Sequence, residues 1–190
     1  MLLNNNIILE PKPFAIGVRI QHPQTMINEN QYGILDSNLP PASYKLTYQT
    51  KEGRGVYSFC MCPGGTVMAS SSDEGEIVTN GMSKFARDGE NANSAFLVNV
   101  TPEDFGSDHP LAGMYFQEKY ERAAFINAGN KYKAPTATWG ELRDGKAPQV
   151  EESLPDFAVA AMREAMPNLG KKLKGFDADD AKVSAVETRS

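Results

Sequence analysis

The sequence predicts an α+β fold: mainly antiparallel strands, as an open sheet or a partial barrel, with a small helical segment in the C-terminal half. Strand-like alternation and glycine-rich turns fill about the first hundred residues, and clear helical periodicity begins only after residue 108. One short strand pattern follows the helices. Strands followed by helices favour α+β over a doubly wound fold, in which the two alternate.

Composition limits the class of protein. The chain of 190 residues is long enough for one domain, with a possible helical subdomain at about 108–175. A net charge of -5 argues against nucleic-acid binding. No apolar run approaches the roughly 20 residues that cross a bilayer, and the first six residues lack the features of a secretory signal. Two cysteines make no disulfide framework, so we expect a cytoplasmic protein without membrane contacts.

Six strands are predicted in the first half of the chain, from alternation or from short buried runs. In the first of them the residues from Phe14 to Ile20 alternate between two faces, and the following His22-Pro23 pair ends the strand because proline donates no ladder hydrogen bond. The segment 26–41 has no clear period. The six predicted strands are Lys12–Ile20, Tyr44–Tyr48, Val56–Cys62, Thr66–Ser70, Glu76–Thr79 and Ala95–Val100.

Turn residues predict how these strands connect. Pro63-Gly64-Gly65 predicts a hairpin between the strands 56–62 and 66–70. Asn80-Gly81 predicts another tight turn, because both residues tolerate positive φ. The stretch from Arg87 to Asn93 is predicted to be a polar loop.

Two helices and a last strand are predicted in the second half. His109-Pro110 opens a helix over 111–128, with Gly129 just beyond its end. Pro155 begins a second helix that Pro167 interrupts after residue 166. The stretch 140–148 is polar and contains glycine, and 183–188 is the last strand.

Cys60 and Cys62 are the first candidates for chemistry. At strand spacing both thiols face the same side, about 6.5 Å apart, which is long for a disulfide between neighbours on one strand. A zinc site needs four ligands, and the sequence has no second cysteine pair, so no metal is expected. Two interpretations remain: small residues that line a strand, or a redox-active thiol near a cofactor. A hydrolase with Ser58 or Cys60 as nucleophile would need a base and an orienting acid that the sequence pattern does not supply.

The glycine-rich and polar loops are the second candidates. Gly53-x-Gly55 lacks the third glycine and the helix of a Rossmann fingerprint, and Gly64-Gly65 lacks the Lys-Ser/Thr of a P-loop. These glycines are either hairpin turns or points where the backbone approaches a ligand or another domain. Asn91 and Asn93 either bind a ring edge or a neighbouring backbone, or make local Asx turns.

Four long segments carry a resemblance to a known family. They are K-P-F-A-I-G-V-R-I-Q-H-P-Q, G-R-G-V-Y-S-F-C-M-C-P-G-G, V-T-N-G-M-S and R-D-G-E-N-A-N-S-A. In this order they resemble the middle of bacterial FAD-dependent dehydrogenases, large NAD(FAD)-utilising flavoproteins mostly of unassigned substrate. The similarity continues through T-P-E-D-F-G, H-P-L-A-G-M and Y-K-A-P to V-E-T-R, so it covers nearly the whole chain.

The resemblance implies an insert or cap domain that covers the flavin and shapes the substrate pocket of an oxidoreductase. Both flavin-binding segments would then lie outside this chain, one before Met1 and one after Ser190. FAD would be the cofactor of the intact enzyme, and the flavin-binding domain of the same protein would be the partner. The chain alone is expected to be inactive and to bind no FAD tightly.

The residues that we predict to face the flavin or an unidentified small-molecule substrate come from the two polar loops and the adjoining strands. Arg87 would stabilise negative charge on a reduced flavin or an anionic substrate. No catalytic residue is assigned. The predicted set is Cys60, Cys62, Ser83, Arg87, Asn91 and Asn93.

A stand-alone α+β binding module is the alternative, with the loops of 53–94 presented to a small molecule or a partner protein. The two hypotheses differ at the surface. An insert domain is expected to expose an apolar patch near its ends, where the flavin-binding domain docks, and a stand-alone module is not. An uncovered patch or sheet edge would also allow a homodimer.

Overall fold

The computed structural model describes residues 5, 7–34 and 38–189; the argument against a secretory signal rests mostly on residues outside these ranges. The strands are β1 (Phe14–Pro23), β2 (Thr47–Gln49), β3 (Gly55–Cys62), β4 (Gly65–Ser70), β5 (Val78–Ser83), β6 (Asn91–Val100), β7 (Thr136–Thr138) and β8 (Lys182–Glu187). The helices are α1 (Gln24–Tyr32), α2 (Ala112–Asn127), α3 (Trp139–Arg143), α4 (Pro148–Glu151) and α5 (Asp156–Lys172).

Two antiparallel sheets form the fold. The larger has six strands in the order β2-β3-β6-β1-β8-β7, and the smaller is a two-stranded ribbon of β4 and β5. The six-stranded sheet does not close into a barrel: among the described strands, β2 at one end pairs with β3 and β7 at the other end pairs with β8, and the two end strands are not paired with each other. The α+β prediction with mainly antiparallel pairing is therefore confirmed. Within the described ranges no helix is long and apolar enough to cross a bilayer.

The main core lies on one face of the six-stranded sheet. Alternation in β1 places Ile16, Val18 and Ile20 on this face, where all three are buried. Helix α5 packs against it with apolar residues at helical spacing, Met162 and Leu169 among them. Pro167 lies inside α5 and does not interrupt it, so that prediction is wrong. Burial of the apolar side of α5 against the sheet outweighs the one backbone hydrogen bond that proline removes.

The predicted hairpin between β3 and β4 is also wrong. Strand β4 pairs with β5, from Gly65 opposite Ser83 to Ser70 opposite Val78. Strand β3 pairs instead with β2 and β6. Asn80-Gly81 lies within β5 and not at a turn. Glycine is needed at residue 81 because of the close packing described below, and not because of a turn.

Several other elements differ from the predictions. Helix α1 occupies part of the segment in which no clear period was found. The period is absent because only Gln24 and Ile27 of its nine residues are buried. Strand β1 extends to Pro23, and β6 begins at Asn91, so the predicted polar loop ends earlier. Helix α3 lies largely within the polar, glycine-containing stretch 140–148, and α4 begins at its end. The 112–127 helix and the left-handed Gly129 beyond it (φ 75°) agree with prediction.

The first and last strands lie side by side. In the antiparallel pairing of β1 with β8, Gly17 lies opposite Glu187. Helix α2 holds the segment that follows β8: buried Glu121 accepts hydrogen bonds from Thr188 Oγ1 at 2.6 Å and from Arg189 Nε at 2.9 Å. The chain therefore enters and leaves the sheet at one end of two neighbouring strands.

Candidate functional site

A buried arginine lies on the sheet face opposite the main core. Arg19 alternates with Val18 and Ile20 in β1, so its side chain points to the other face, where it is fully buried. Its Nε donates to Glu187 Oε2 at 2.7 Å. Burial lowers the pKa of Arg19, but the charge and hydrogen bond of Glu187 outweigh this and hold the pKa above its ordinary value. The pair is therefore a buried ion pair.

This ion pair joins five strands. Arg19 Nη1 donates to the carbonyl of Cys60 in β3 at 2.8 Å and to Asn93 Oδ1 in β6 at 3.4 Å. Thr79 Oγ1 in β5 donates to Glu187 Oε2 at 3.5 Å. We call Arg19, Thr79, Asn93 and Glu187 the Arg19 cluster. A buried charge that loses such partners lowers the stability of the folded state. The cluster therefore favours the observed arrangement of these strands.

The β4–β5 ribbon covers the Arg19 cluster at Gly81. A Cβ atom at this position would lie 2.4 Å from Asn93 Oδ1, 2.5 Å from Arg19 Nη1 and 2.9 Å from Cys62 Sγ. No other residue fits without displacing these buried groups, because real Cβ atoms do not approach so closely. Glycine in mid-strand therefore lets the ribbon close over the cluster.

The two cysteines lie in different environments. A β-bulge between Phe59 and Cys62 places Cys60 at φ 43°, with its side chain exposed. Cys62 is buried, and its Sγ donates to the carbonyl of Cys60 at 3.4 Å. The prediction that both thiols face the same way is wrong, because an extra residue in one strand reverses the alternation.

We expect the two thiols to differ in reactivity. Burial, and then the neighbouring Cys60, raise the pKa of the Cys62 thiol. A thiol reagent such as Ellman's should modify Cys60 at least about tenfold faster than Cys62 in the folded chain, because the thiolate is the nucleophile. Cys60→Ser should remove the fast phase and Cys62→Ser should leave it. Equal rates for both thiols would contradict the bulge.

Two further predicted residues, Ser83 and Arg87, lie close to this region. Ser83 Oγ donates to the carbonyl of Pro63 at 2.7 Å. Arg87 is exposed at φ 51°, and its carbonyl lies against Gly64, where a Cβ would be 2.0 Å away. Turn 63–65 and loop 86–90 therefore pack backbone against backbone. Of the six predicted residues, the structure brings together Cys60, Cys62, Ser83 and Asn93 beside the ribbon, with Arg87 on the adjoining loop.

Asn91 lies apart from them, at the start of β6 opposite Pro23. It lines a groove of about 360 Å³ together with His22, Met26 and Lys182. His22 is buried and stacks on Phe176, with ring centroids 4.8 Å apart. Its Nε2 donates to the carbonyl of Phe176 at 2.8 Å, which leaves Nδ1 as the acceptor.

His22 gives a pH-dependent stability. Burial lowers the pKa of folded His22 below its ordinary 6.5, although the carbonyl of Phe176 opposes the shift. The unfolded chain therefore takes up this proton more readily, and the free energy of unfolding falls as the pH drops below about 6.5. His22→Gln should show a smaller decrease between about pH 7 and about pH 5 in urea unfolding. An equal decrease in both proteins would contradict this role.

Comparison with known proteins places the chain in a family. A sequence model described as "FAD-dependent protein, C-terminal domain-like" matches residues 13–190. The chain belongs to this family. An uncharacterized protein of Clostridium beijerinckii (strain ATCC 51743 / NCIMB 8052) is 46% identical over 210 residues, an alignment that covers 100% of this chain. The same alignment covers 39% of the relative, so the chain spans well under half of that protein's length.

The polar groups of the candidate site differ in their exposure to solvent. Within residues 5, 7–34 and 38–189 no three His, Cys, Asp or Glu side chains form a group that could hold a metal ion. Cys60 and Arg87 are exposed and available for contact, whereas Cys62 and Asn93 are buried.

Sequence reasoning missed the centre of the site. Arg19, Thr79 and Glu187 were not among the predicted residues. One signal was available for Arg19, since it is the only charged residue within the apolar alternation of 14–20. Its partner Glu187 lies 168 residues away, and no local pattern connects the two.

Proposed function

We propose that the chain is the insert or cap domain of an FAD-dependent oxidoreductase. In the intact protein it covers the flavin and shapes the pocket of a small-molecule substrate, and by itself it is inactive. The observation that carries this proposal is the pairing of β1 with β8. A domain whose chain enters and leaves at adjacent strands can be inserted into another domain without distorting either.

Family membership supports the cofactor and the partner. The matched description names FAD-dependent proteins, and the relative has most of its length outside the aligned region. That remaining length is where we place the flavin-binding part. The flavin would carry out the electron transfer, and this domain would supply binding and orientation. We place the protein in the cytoplasm, with neither nucleic acid nor membrane as a partner.

The exposed members of the site are assigned to contact with the flavin or the substrate. Arg87 carries a positive charge on an exposed loop, and it would stabilise an anionic substrate or a reduced flavin. Cys60 presents its thiol from the bulge that Arg19 holds. The buried residues Asn93 and Cys62 contact the groups that hold this bulge: Asn93 accepts from Arg19, and Cys62 donates to the carbonyl of Cys60.

The test uses the intact polypeptide that contains this domain. Arg87→Gln and Cys60→Ser should change the rate of flavin reduction or the visible flavin spectrum, because both side chains would lie near the isoalloxazine ring or the substrate. Lys51→Gln is the matched control, since Lys51 is equally exposed but lies in the turn between β2 and β3. Variants indistinguishable from the control would contradict the site, and an intact protein without flavin would contradict the function.

A further inference from the structure

The outer face of the β4–β5 ribbon is exposed and carries two methionines beside the uncharged side chains of Thr66 and Asn80. Thr79 and Gly81 face the Arg19 cluster, so alternation directs Met82 outward, and Met68 faces the same way from β4. Their exposed fractions are 45% for Met68 and 59% for Met82. Phe85, just after β5, is fully exposed. We call Met68, Met82 and Phe85 the ribbon face.

The ribbon also lacks the usual protection of an exposed sheet edge. Strands β4 and β5, G-T-V-M-A-S and V-T-N-G-M-S, contain no charged residue. Among the described strands they pair only with each other, so the outer edge of each has no strand partner there. Proteins normally protect such edges with charged side chains, proline or a covering element. An uncharged ribbon with outward methionines is typical of a surface that another segment covers, because methionine adapts its shape to its partner.

The ribbon is firmly attached to the point where the chain leaves the sheet. The backbone N–H of Ile77, next to β5, donates to the carbonyl of Glu121 at 3.2 Å. The side chain of Glu121 binds Thr188 and Arg189, which follow β8. Polypeptide that continues beyond Arg189 therefore starts beside the base of the ribbon.

Ile7 and Ile8, before β1, are exposed apolar residues near one end of the chain, and helix α2 offers another exposed apolar group. Met114 and Tyr115 are exposed there, but Tyr115 already stacks on His109, with ring centroids 5.7 Å apart. Charged Glu118 and Lys119 follow on the same helix. The strands of the ribbon carry no charged residue, and Lys84 follows β5 between Met82 and Phe85.

We infer that the ribbon face is where the flavin-binding part of the same polypeptide docks. The inference rests on the proposed function and adds the surface through which the two parts meet. The length of the relative outside the aligned region provides the occupant, and Glu121 holds the end of β8 close to the ribbon. Docking here would bring the partner close to the Cys60 bulge and the Arg87 loop. Both adjoin the same end of the ribbon, which lies near residues 62–65 and 83.

Cysteine labelling tests this surface. Met82→Cys is introduced in a Cys60→Ser background, both in this chain and in the intact polypeptide, and maleimide labelling rates are compared. We expect labelling to be at least about tenfold slower in the intact polypeptide, because docking removes the side chain from solvent. Lys51→Cys is the control and should react equally in both. Met114→Cys reports on the helix α2 surface.

Each outcome is decisive. Equal rates at Met82→Cys, or protection at Met114→Cys alone, would overturn the inference. Protection that appears in this chain alone and grows with its concentration would assign the ribbon face to a second copy and also overturn it. The visible flavin absorption of the intact polypeptide separates the two proposals. With flavin bound and Met82→Cys unprotected, only the docking surface fails; without flavin, the proposed function fails and the inference fails with it.

Discussion

Removing one partner of the Arg19–Glu187 ion pair is expected to lower the free energy of unfolding by about 3–5 kcal/mol. Both side chains are buried, so Arg19→Met leaves a carboxylate without its main partner, and Glu187→Gln leaves a guanidinium without its counter-charge. Arg19→Met also removes the donor that holds the Cys60 carbonyl. Urea unfolding of both variants measures the loss.

Two further variants make this result interpretable. The double variant Arg19→Met/Glu187→Gln should lose less than the sum of the single losses, because neither charge is then left buried alone. Arg143→Met removes an exposed arginine that pairs with Asp144 and Asp179, and little change is expected there. Losses at Arg19 as small as those at Arg143, or full additivity in the double variant, would show that the buried pair does not organise the site.

Gly64→Ala is expected to lower the free energy of unfolding by about 2–5 kcal/mol, from left-handed strain and from overpacking together. Gly64 has φ 55°, and a Cβ would lie 2.0 Å from the carbonyl oxygen of Arg87. That oxygen belongs to the backbone, so loop 86–90 must move away. The N–H of Gly64, which donates to Gln24 Oε1 at 2.8 Å, should then exchange faster with solvent.

Gly75→Ala separates the effect of left-handed strain from that of overpacking. Gly75 has φ 76°, and a Cβ there would meet nothing within 4 Å. Its loss is expected to be about 1–2 kcal/mol, from left-handed strain alone. Equal losses at the two glycines, with no change in exchange at residue 64, would contradict the tight packing of the Arg87 loop on turn 63–65.

Much of the sheet was predictable because its strands alternate. Residues 14–20 and 56–59 carry the period of a half-buried strand, and 95–100 form a continuous apolar run. Pairing was less predictable. The hairpin signal at Pro63-Gly64-Gly65 was local, whereas the actual partner of β4 depends on the fit of Gly81 over Asn93. Helix α1 was missed because a helix with two buried residues shows almost no period.

The sequence predicted a position for the candidate site but not the orientation of its side chains. Polar and glycine-rich segments indicated 53–94, and four of the predicted residues lie together at the ribbon. Their contact with a flavin or a substrate stays a prediction. Their orientations were not predictable, because one bulge residue turns Cys60 outward while Cys62 stays buried. The Arg19–Glu187 pair joins the first and last strands, and such contacts leave no trace in local composition.

The most direct test of the central claim is an FAD titration of this chain alone, followed by flavin fluorescence and the visible spectrum. An insert domain that lacks the flavin-binding part should leave free FAD unquenched and spectrally unchanged. Saturable binding at micromolar concentrations or tighter would contradict this account, since the loops of 53–94 would then build a flavin site without any partner.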